Sequence, residues 1–265
     1  MNKLVSIILV IIALSSCAPP PNEQALIDET KDVTVYFVAD TPRGFKLFSE
    51  IREIKSPAGE MADTVISQLV SGELQPLDPD YVNLWDNSNS LNQVMISGAR
   101  ATVDINLGNL NVGAEAELRA IEQIVWTLTG ISPFLTTVRF LINGEEVETF
   151  AGHVDTTVDF KRVPDYEVLN PLQIESISDL AELENPITIS GSACTFEANV
   201  VWEISKNNKV ITDGVTTAAA ACPQRSKWQI ELPELNAGEY LFSVKEFSAE
   251  DGSLFALDTK QIIVK

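Results

Sequence analysis

Helical periodicity appears in only two stretches of this sequence, and both lie in its first half. Met61, Val65 and Leu69 recur every four residues, and apolar residues recur with helical spacing from Leu118 to Leu128. Such spacing predicts an amphipathic helix with one buried face. The other apolar runs are short, rich in β-branched and aromatic residues, and separated by turn residues, which is typical of strands. The sequence therefore predicts an α+β first half and an all-β second half.

Six strands and two helices are predicted between residues 32 and 150. Ser56-Pro57 is a typical start of a helix, and Gly72 and Gly130 are typical of the residue that follows one. Asn143-Gly144 is a strong signal for a tight hairpin turn. The order of the elements predicts an α+β domain in which two helices cover one face of a mainly antiparallel sheet. The predicted strands span residues 33–38, 45–54, 94–97, 101–105, 137–142 and 145–150, and the predicted helices start at residues 56 and 114, the second ending at residue 129.

The second half contains strand patterns and no helical pattern. Residues 151–170 are irregular and polar, so we place a linker there and a second domain at residues 171–265. Seven short strands in this length predict an immunoglobulin-like β-sandwich, with Asn207-Asn208 turning one hairpin. The predicted strands span residues 172–177, 187–190, 198–205, 210–217, 227–232, 238–247 and 255–264.

The first seventeen residues have the features of a secretory signal. Lys3 precedes an apolar run of about half the roughly 20 residues that span a bilayer. The run ends at Leu14-Ser15-Ser16-Cys17, which resembles the lipobox of bacterial lipoproteins, whose cysteine is lipidated and becomes the mature N-terminus. The alternative is an ordinary secreted protein that is cleaved nearby. Residues 18–31, with three consecutive prolines, are expected to form a tether between the membrane and the folded part.

Both predicted domains resemble known families. Residues 32–150 resemble the GerMN domain of sporulation and spore germination, and residues 171–265 resemble the immunoglobulin-like domain of bacterial spore germination. The resemblance implies protein–protein contacts at the cell envelope, including self-association. The first rests on Val33-Thr34-Val35-Tyr36-Phe37-Val38, Leu69-Val70-Ser71-Gly72, Ala101-Thr102-Val103-Asp104-Ile105 and Asn143-Gly144-Glu145-Glu146-Val147, and the second on Ile189-Ser190-Gly191-Ser192-Ala193 and Glu246-Phe247-Ser248-Ala249-Glu250-Asp251-Gly252-Ser253.

Charge and cysteine content limit the partners. The net charge is −20, and removal of Lys3 with the signal leaves 17 basic and 38 acidic residues, or −21. Nucleic acid and anionic lipid both require clustered basic residues, so neither is expected as a partner. The acidity indicates either a solvated surface or a site for cations or basic partners. Cys194 and Cys222 form either a disulfide or two buried thiols, and with one histidine they make a poor metal site.

The sequence contains no recognisable catalytic set. His153 is the only histidine and is interpreted as a surface or linker residue rather than a catalytic base, because no Gly-x-Ser-x-Gly motif accompanies it. Asp78-Pro79-Asp80 and Glu250-Asp251-Gly252 lack the ligand spacing of a calcium loop, and the second is interpreted as a turn. No cofactor is expected. An envelope hydrolase that uses two carboxylates is the weakest alternative.

We therefore predict a non-enzymatic, membrane-anchored extracytoplasmic lipoprotein that binds or assembles with envelope proteins or with itself. The main alternative is capture of a glycan or small solute, either at the loop around Trp85 or in a cleft between the domains. Trp85 lies in a polar stretch and is the best single candidate for an exposed contact residue. It is equally compatible with packing back onto the domain, because large aromatic side chains are usually mostly buried.

Overall fold

The computed structural model describes residues 28–108, 110 and 112–265. The predicted signal, Cys17 and residues 18–27 of the predicted tether therefore lie outside the described residues. Within them, an α+β region is followed by a β-rich immunoglobulin-like region, as predicted. The first strand starts at Asp28, so residues 28–31 of the predicted tether belong to the sheet.

The N-terminal region contains a long hairpin, a three-stranded sheet and two helices. The hairpin strands β1 and β2 pair over their full length, and the second sheet has the order β3-β4-β5. The β3–β4 pairing is antiparallel, whereas β4 and β5 run parallel. Helix α2 packs on β1 and β2, and α1 packs on α2 and β3. The elements are β1 (Asp28–Thr41), β2 (Gly44–Pro57), α1 (Met61–Val70), β3 (Ser90–Ser97), β4 (Arg100–Asn106), α2 (Ala114–Ile131) and β5 (Thr137–Ile142).

The predicted start of α1 is wrong. Ser56 and Pro57 end strand β2, where they pair with Glu29 and Asp28, and the helix begins at Met61 without a side-chain cap. The Ser56 hydroxyl instead lies 2.7 Å from the Thr64 hydroxyl. Pairing with a strand that is distant in sequence therefore overrides the local capping signal.

The predicted end of α2 at Gly130 is also wrong, because the helix continues to Ile131. Gly130 lies beneath the guanidinium group of Arg162, and a Cβ at this position would lie 3.2 Å from Arg162 Nη2. Arg162 donates hydrogen bonds to the Trp126 carbonyl at 2.6 Å and to Thr129 Oγ1 at 2.7 Å. The glycine therefore makes room for an arginine and does not end the helix.

The hairpin predicted around Asn143-Gly144 forms only its turn. Both turn residues have positive φ, and Ile142 and Glu145 exchange two backbone hydrogen bonds. Residues 145–150 do not continue as a strand, because β5 pairs with β4 and the Phe150 ring packs edge-on against Phe140 at 5.4 Å. The turn is a local feature, whereas burial of Phe150 is decided by the core.

The C-terminal region consists of a five-stranded and a three-stranded sheet around a separate apolar core. The sheet orders are β10-β9-β12-β13-β7 and β11-β8-β6. All seven predicted strands overlap observed ones, and the strand that prediction missed, β7, has only three residues. The elements are the short helix α3 (Asp165–Val168), then β6 (Leu172–Ile174), β7 (Ala181–Leu183), β8 (Thr188–Ala193), β9 (Asn199–Lys206), β10 (Lys209–Thr217), β11 (Ser226–Glu231), β12 (Gly238–Phe247) and β13 (Leu254–Val264).

Cys194 and Cys222 form a disulfide between the segment after β8 and the segment before β11. Their Cα atoms are 4.4 Å apart, and Cys194 is buried. Of the two alternatives that the sequence left open, the structure contains the disulfide.

Gly191 in β8 offers a test of the sandwich packing. A Cβ at this position would lie 1.9 Å from the Gln173 carbonyl oxygen and 2.5 Å from the Trp228 ring. We expect Gly191→Ala to lower the free energy of unfolding by about 1–3 kcal/mol or more, because overpacking forces these groups apart. Urea denaturation of this variant and of Ser190→Ala measures the effect. The control also places alanine in β8 and should change stability by less than about 0.5 kcal/mol. Equal stabilities of the two variants would contradict the packing described.

Candidate binding site at the domain junction

The junction between the two regions is built on the outer edge of β2. The Asn170 N–H donates to the Leu47 carbonyl at 3.0 Å. The Gln173 side-chain amide donates to the Ser49 carbonyl at 2.5 Å, and its oxygen accepts from the Ser49 N–H at 3.2 Å. One side-chain amide therefore satisfies both main-chain groups of Ser49, as a neighbouring strand would.

Arg225 holds the segment between the two regions. Its guanidinium group donates to the Asn170 carbonyl at 2.6 Å and to Asp165 Oδ2 at 3.2 Å. Beneath this segment lies a small apolar cluster that is separate from both main cores. Residues of the predicted linker therefore pack against the β1–β2 hairpin. The buried members of the cluster are Tyr36, Val38, Leu47, Trp126, Val168 and Leu169.

Four polar side chains form a buried cluster at the centre of the junction: Asp78 and Tyr81 from the N-terminal region, and Asp258 and Lys260 from β13. All four residues are 5% exposed or less. The Lys260 ammonium group pairs with Asp78, donates to Tyr81 Oη at 3.0 Å and lies 3.4 Å from Asp258 Oδ1. Tyr81 Oη donates to Asp258 Oδ1 at 3.2 Å, and the Ile174 N–H donates to Asp258 Oδ2 at 2.7 Å.

Two carboxylates therefore share one ammonium group away from water. Burial raises the pKa of Asp258 to about 6, although Lys260 and the Ile174 N–H favour the charged form. Burial alone would lower the pKa of Lys260, but the two aspartates outweigh it and raise that pKa. The Tyr81 pKa is raised well above its usual value by burial and by the same carboxylates. The cluster is thus a strong constraint on how the two regions fit together.

Beside this cluster lies an open groove of about 390 Å³ between the two regions. Its N-terminal wall carries the side chains of Ile51 and Leu77, which are 70% and 63% exposed. Its C-terminal wall is the chain from Ile174 to Asp179, and Lys227 and Lys260 also line it. The groove combines apolar, acidic and basic groups and is the candidate binding site.

Trp85 is not an exposed contact residue, because its side chain is 1% exposed. The indole N–H donates to the Ala120 carbonyl at 3.2 Å, and the ring packs edge-on against Phe150 at 5.9 Å. The structure thus contains the second alternative, in which the ring packs back onto the domain. The polarity of the surrounding loop did not predict the burial of Trp85, because the Trp85 ring packs beside α2.

His153 contacts one carboxylate and organises a loop. Its Nδ1 lies 2.7 Å from Glu117 Oε2, and the Glu117 carboxylate is fully buried. Glu117 also accepts the Ala151 and Val154 N–H groups at 2.9 Å. Burial opposes ionisation of Glu117, but these hydrogen bonds outweigh it and lower its pKa. The pair therefore holds residues 151–154 against α2.

The two acidic motifs of the sequence have separate roles. Asp78 belongs to the buried cluster, and Asp80 accepts a hydrogen bond from the Thr259 hydroxyl at 2.7 Å. Glu250-Asp251-Gly252 forms the turn between β12 and β13, as predicted, with Gly252 at φ +74°.

Across the described ranges, no three His, Cys, Asp or Glu side chains are placed to hold a metal ion. No helix among those residues is long and apolar enough to cross a membrane.

The sequence carried one overlooked signal for the buried cluster. Asp258 and Lys260 occupy alternate positions of β13, in phase with the buried residues Ala256, Ile262 and Val264. Because alternate residues of a strand share one face, two charged residues in this phase indicate a buried ionic site.

Removal of the Lys260 charge tests the junction. In Lys260→Met, Asp78 and Asp258 remain buried without their ammonium partner, so we expect the free energy of unfolding at pH 7 to fall by about 3–5 kcal/mol. Lys265→Met is the control, because that lysine is half-exposed in its pair with Glu182 and should contribute at most about 1 kcal/mol. Urea denaturation measures both variants. A loss below 1 kcal/mol in Lys260→Met would contradict the description of the cluster.

The raised pKa of Asp258 predicts a dependence of stability on pH. The folded state binds this proton with a pKa of about 6, against 3.8 for the ordinary side chain, so ionised Asp258 costs stability at neutral pH. That cost disappears as the pH falls through 6. Relative to Asp258→Asn, which cannot ionise, the natural protein should therefore gain about 2 kcal/mol between pH 7 and pH 4. Urea denaturation at several pH values measures the difference, and a constant difference would exclude it.

Comparison with known families gives two matches. Residues 34–148 match the family Germane, described as sporulation and spore germination, and residues 166–253 match the family Gmad2, described as the immunoglobulin-like domain of bacterial spore germination. A search of curated proteins gave no match.

Similar solved structures include three that each cover about half of this chain. The first GerMN domain of the sporulation protein GerM from Bacillus subtilis is 20% identical, with 50% of this chain and 98% of that chain covered and a TM-score of 0.38. The tandem GerMN domains of the same protein are 19% identical, with 53% and 50% covered and a TM-score of 0.41. A proposed lipoprotein from Clostridium perfringens is 21% identical, with 50% and 88% covered and a TM-score of 0.36.

The two family matches follow the order of the two folded regions, and the second ends before Asp258 and Lys260 of the buried cluster. The chain therefore carries a Germane domain of sporulation and spore germination at residues 34–148, followed by a Gmad2 immunoglobulin-like domain of bacterial spore germination at residues 166–253.

Proposed function

We propose that this protein is a lipid-anchored extracytoplasmic lipoprotein that acts as a non-enzymatic binding and assembly module at the cell envelope. The observation that carries the proposal is the fixed junction: the buried cluster around Lys260 and the pairing of Gln173 with Ser49 hold both domains in one arrangement around an open groove. A fixed two-domain body presents a composite surface to a partner without paying an ordering cost at binding.

Two features support the extracytoplasmic location. Leu14-Ser15-Ser16-Cys17 follows a short apolar run and a single lysine, in the arrangement of a lipoprotein signal. The Cys194–Cys222 disulfide is characteristic of an oxidising compartment. In this proposal Cys17 carries the lipid and the folded part stands outside the membrane.

The groove also bears on the alternative, capture of a glycan or small solute. Small-molecule sites enclose most of their ligand and are usually lined by aromatic side chains. This groove is open, and among the described residues that line it the one aromatic is Tyr81, which is buried and stacks on Phe48. Exposed Ile51 and Leu77 at the rim instead favour a protein partner.

In-cell crosslinking followed by purification and mass spectrometry tests the proposal. The natural protein should remain with membranes after a carbonate wash and should crosslink reproducibly to envelope proteins. Cys17→Ala should be released from the membrane, because one lipid-bearing cysteine provides the anchor.

Two results would count against this function, and they are separable. Membrane retention of Cys17→Ala would exclude the lipid anchor. Recovery of uncrosslinked monomer alone, in cells where a known envelope complex crosslinks, would exclude the assembly role and favour ligand capture.

A further inference from the structure

The groove at the junction lies beside a strand edge that is used over only part of its length. Residues of an antiparallel strand alternate between those whose N–H and C=O face the partner strand and those whose groups face away. On β2, Leu47 and Ser49 face away from β1, because they bond to Asn170 and to the Gln173 side chain. The alternation continues without a register shift, so Ile51 also faces away from β1.

Strand β1 confirms this phase independently. Val38 exchanges two backbone hydrogen bonds with Val82, and Tyr36 bonds to the side chains of Thr127 and Gln123, all on the side away from β2. Val38 faces Leu47, Tyr36 faces Ser49 and Thr34 faces Ile51 in the hairpin register. Within the described part of the chain, the Ile51 N–H and C=O have no hydrogen-bond partner.

The surroundings of Ile51 define what could pair with this edge. Ile51 and Leu77 expose large apolar side chains at the groove, and Ile174 and Ile177 line its other side. The charged side chains of the lining have a net charge of −2. Within the lining, Lys227 pairs with Glu175 and Lys260 pairs with Asp78, so the acidic excess comes from Glu50, which also pairs with Arg52, and from Asp179. Apolar walls with an acidic balance favour an extended segment that carries both apolar and basic side chains.

We propose that the β2 edge at Ile51 accepts an extended basic peptide segment of an envelope protein as an added strand within the groove. This inference rests on the proposed function and names its site and the chemistry of its partner. Gln173 provides a precedent inside the molecule, because its amide already completes the same edge at Ser49. A second copy of the chain is a poor occupant, because its net charge is −20.

Selection from a phage-displayed library of random nonapeptides on the detergent-solubilised full-length protein provides the first test. Enriched peptides should contain Lys or Arg together with β-branched residues. They should bind Ile51→Pro about tenfold more weakly, because proline removes an N–H that faces the groove and leaves the β1 ladder intact. Ile51→Thr keeps that N–H and should retain binding.

The main-chain contact can be measured without a change to the protein. Hydrogen–deuterium exchange should show that a bound peptide protects the Ile51 amide, and N-methylation of alternate peptide amides should weaken binding about tenfold in one of the two phases. Lys227→Glu makes the groove more acidic and should tighten binding of basic peptides several-fold, whereas Glu175→Lys should weaken it.

The inference is overturned if no peptide is enriched, if enriched peptides bind folded Ile51→Pro and the natural protein equally, or if protection appears elsewhere. A photo-crosslinking residue at Leu77 separates this result from the proposed function. The control is the same residue at Phe134, which is 79% exposed and lies outside the groove.

Crosslinks to envelope proteins from Leu77 but not from Phe134 support the groove. Crosslinks from Phe134 alone, or from Leu77 to a second copy alone, overturn the groove while leaving assembly in place. Failure at both positions, together with failure of the general crosslinking experiment, excludes the assembly function itself.

Discussion

The Lys260 ammonium group is the interaction on which the arrangement of the two domains depends. It lies on the second domain and pairs with Asp78 of the first, while Asp258 and Tyr81 complete its surroundings. Because each buried charge is costly when unpaired, separation or rotation of the domains would leave several buried charges without their partners. The cluster therefore specifies one relative placement even if its net contribution to stability is small.

The second constraint concerns the outer edge of β2, whose main-chain groups form hydrogen bonds with residues that do not belong to a neighbouring strand. Asn170 and the Gln173 amide satisfy the edge of β2, and Arg225 holds their segment in place through the Asn170 carbonyl. This completion stops at Ser49, and the groove begins at Ile51. The same edge thus joins the domains over one part of its length and remains open over the next.

These two constraints connect the fold to binding. An open edge is a liability in a soluble protein, because it can pair with other chains. Here the edge lies in a groove with acidic lining, which restricts the segments that fit. The proposed binding in the groove depends on the placement of the domains, because neither domain alone forms both walls of the groove.

The sequence by itself determined the features that depend on a few neighbouring residues. The helical spacing within α2, Gly72 with φ +71°, and the turns at Asn143-Gly144 and Asn207-Asn208 all follow local preferences and were predicted correctly. The overall succession of an α+β and an all-β domain follows from the same periodicities. The lipoprotein signal is also read from a local pattern, and it stays a prediction.

Tertiary structure decided everything that depends on a distant partner. Ser56 belongs to a strand because it pairs with Glu29. Gly130 lies inside helix α2, beneath the guanidinium group of Arg162. Trp85 is buried against α2, where its indole N–H donates to the Ala120 carbonyl. The buried cluster belongs to this class, since Asp78 and Lys260 are 182 residues apart. Local patterns determine helices, strands and turns because the interactions involved act between residues close in sequence. The junction instead depends on contacts between residues that are far apart in sequence.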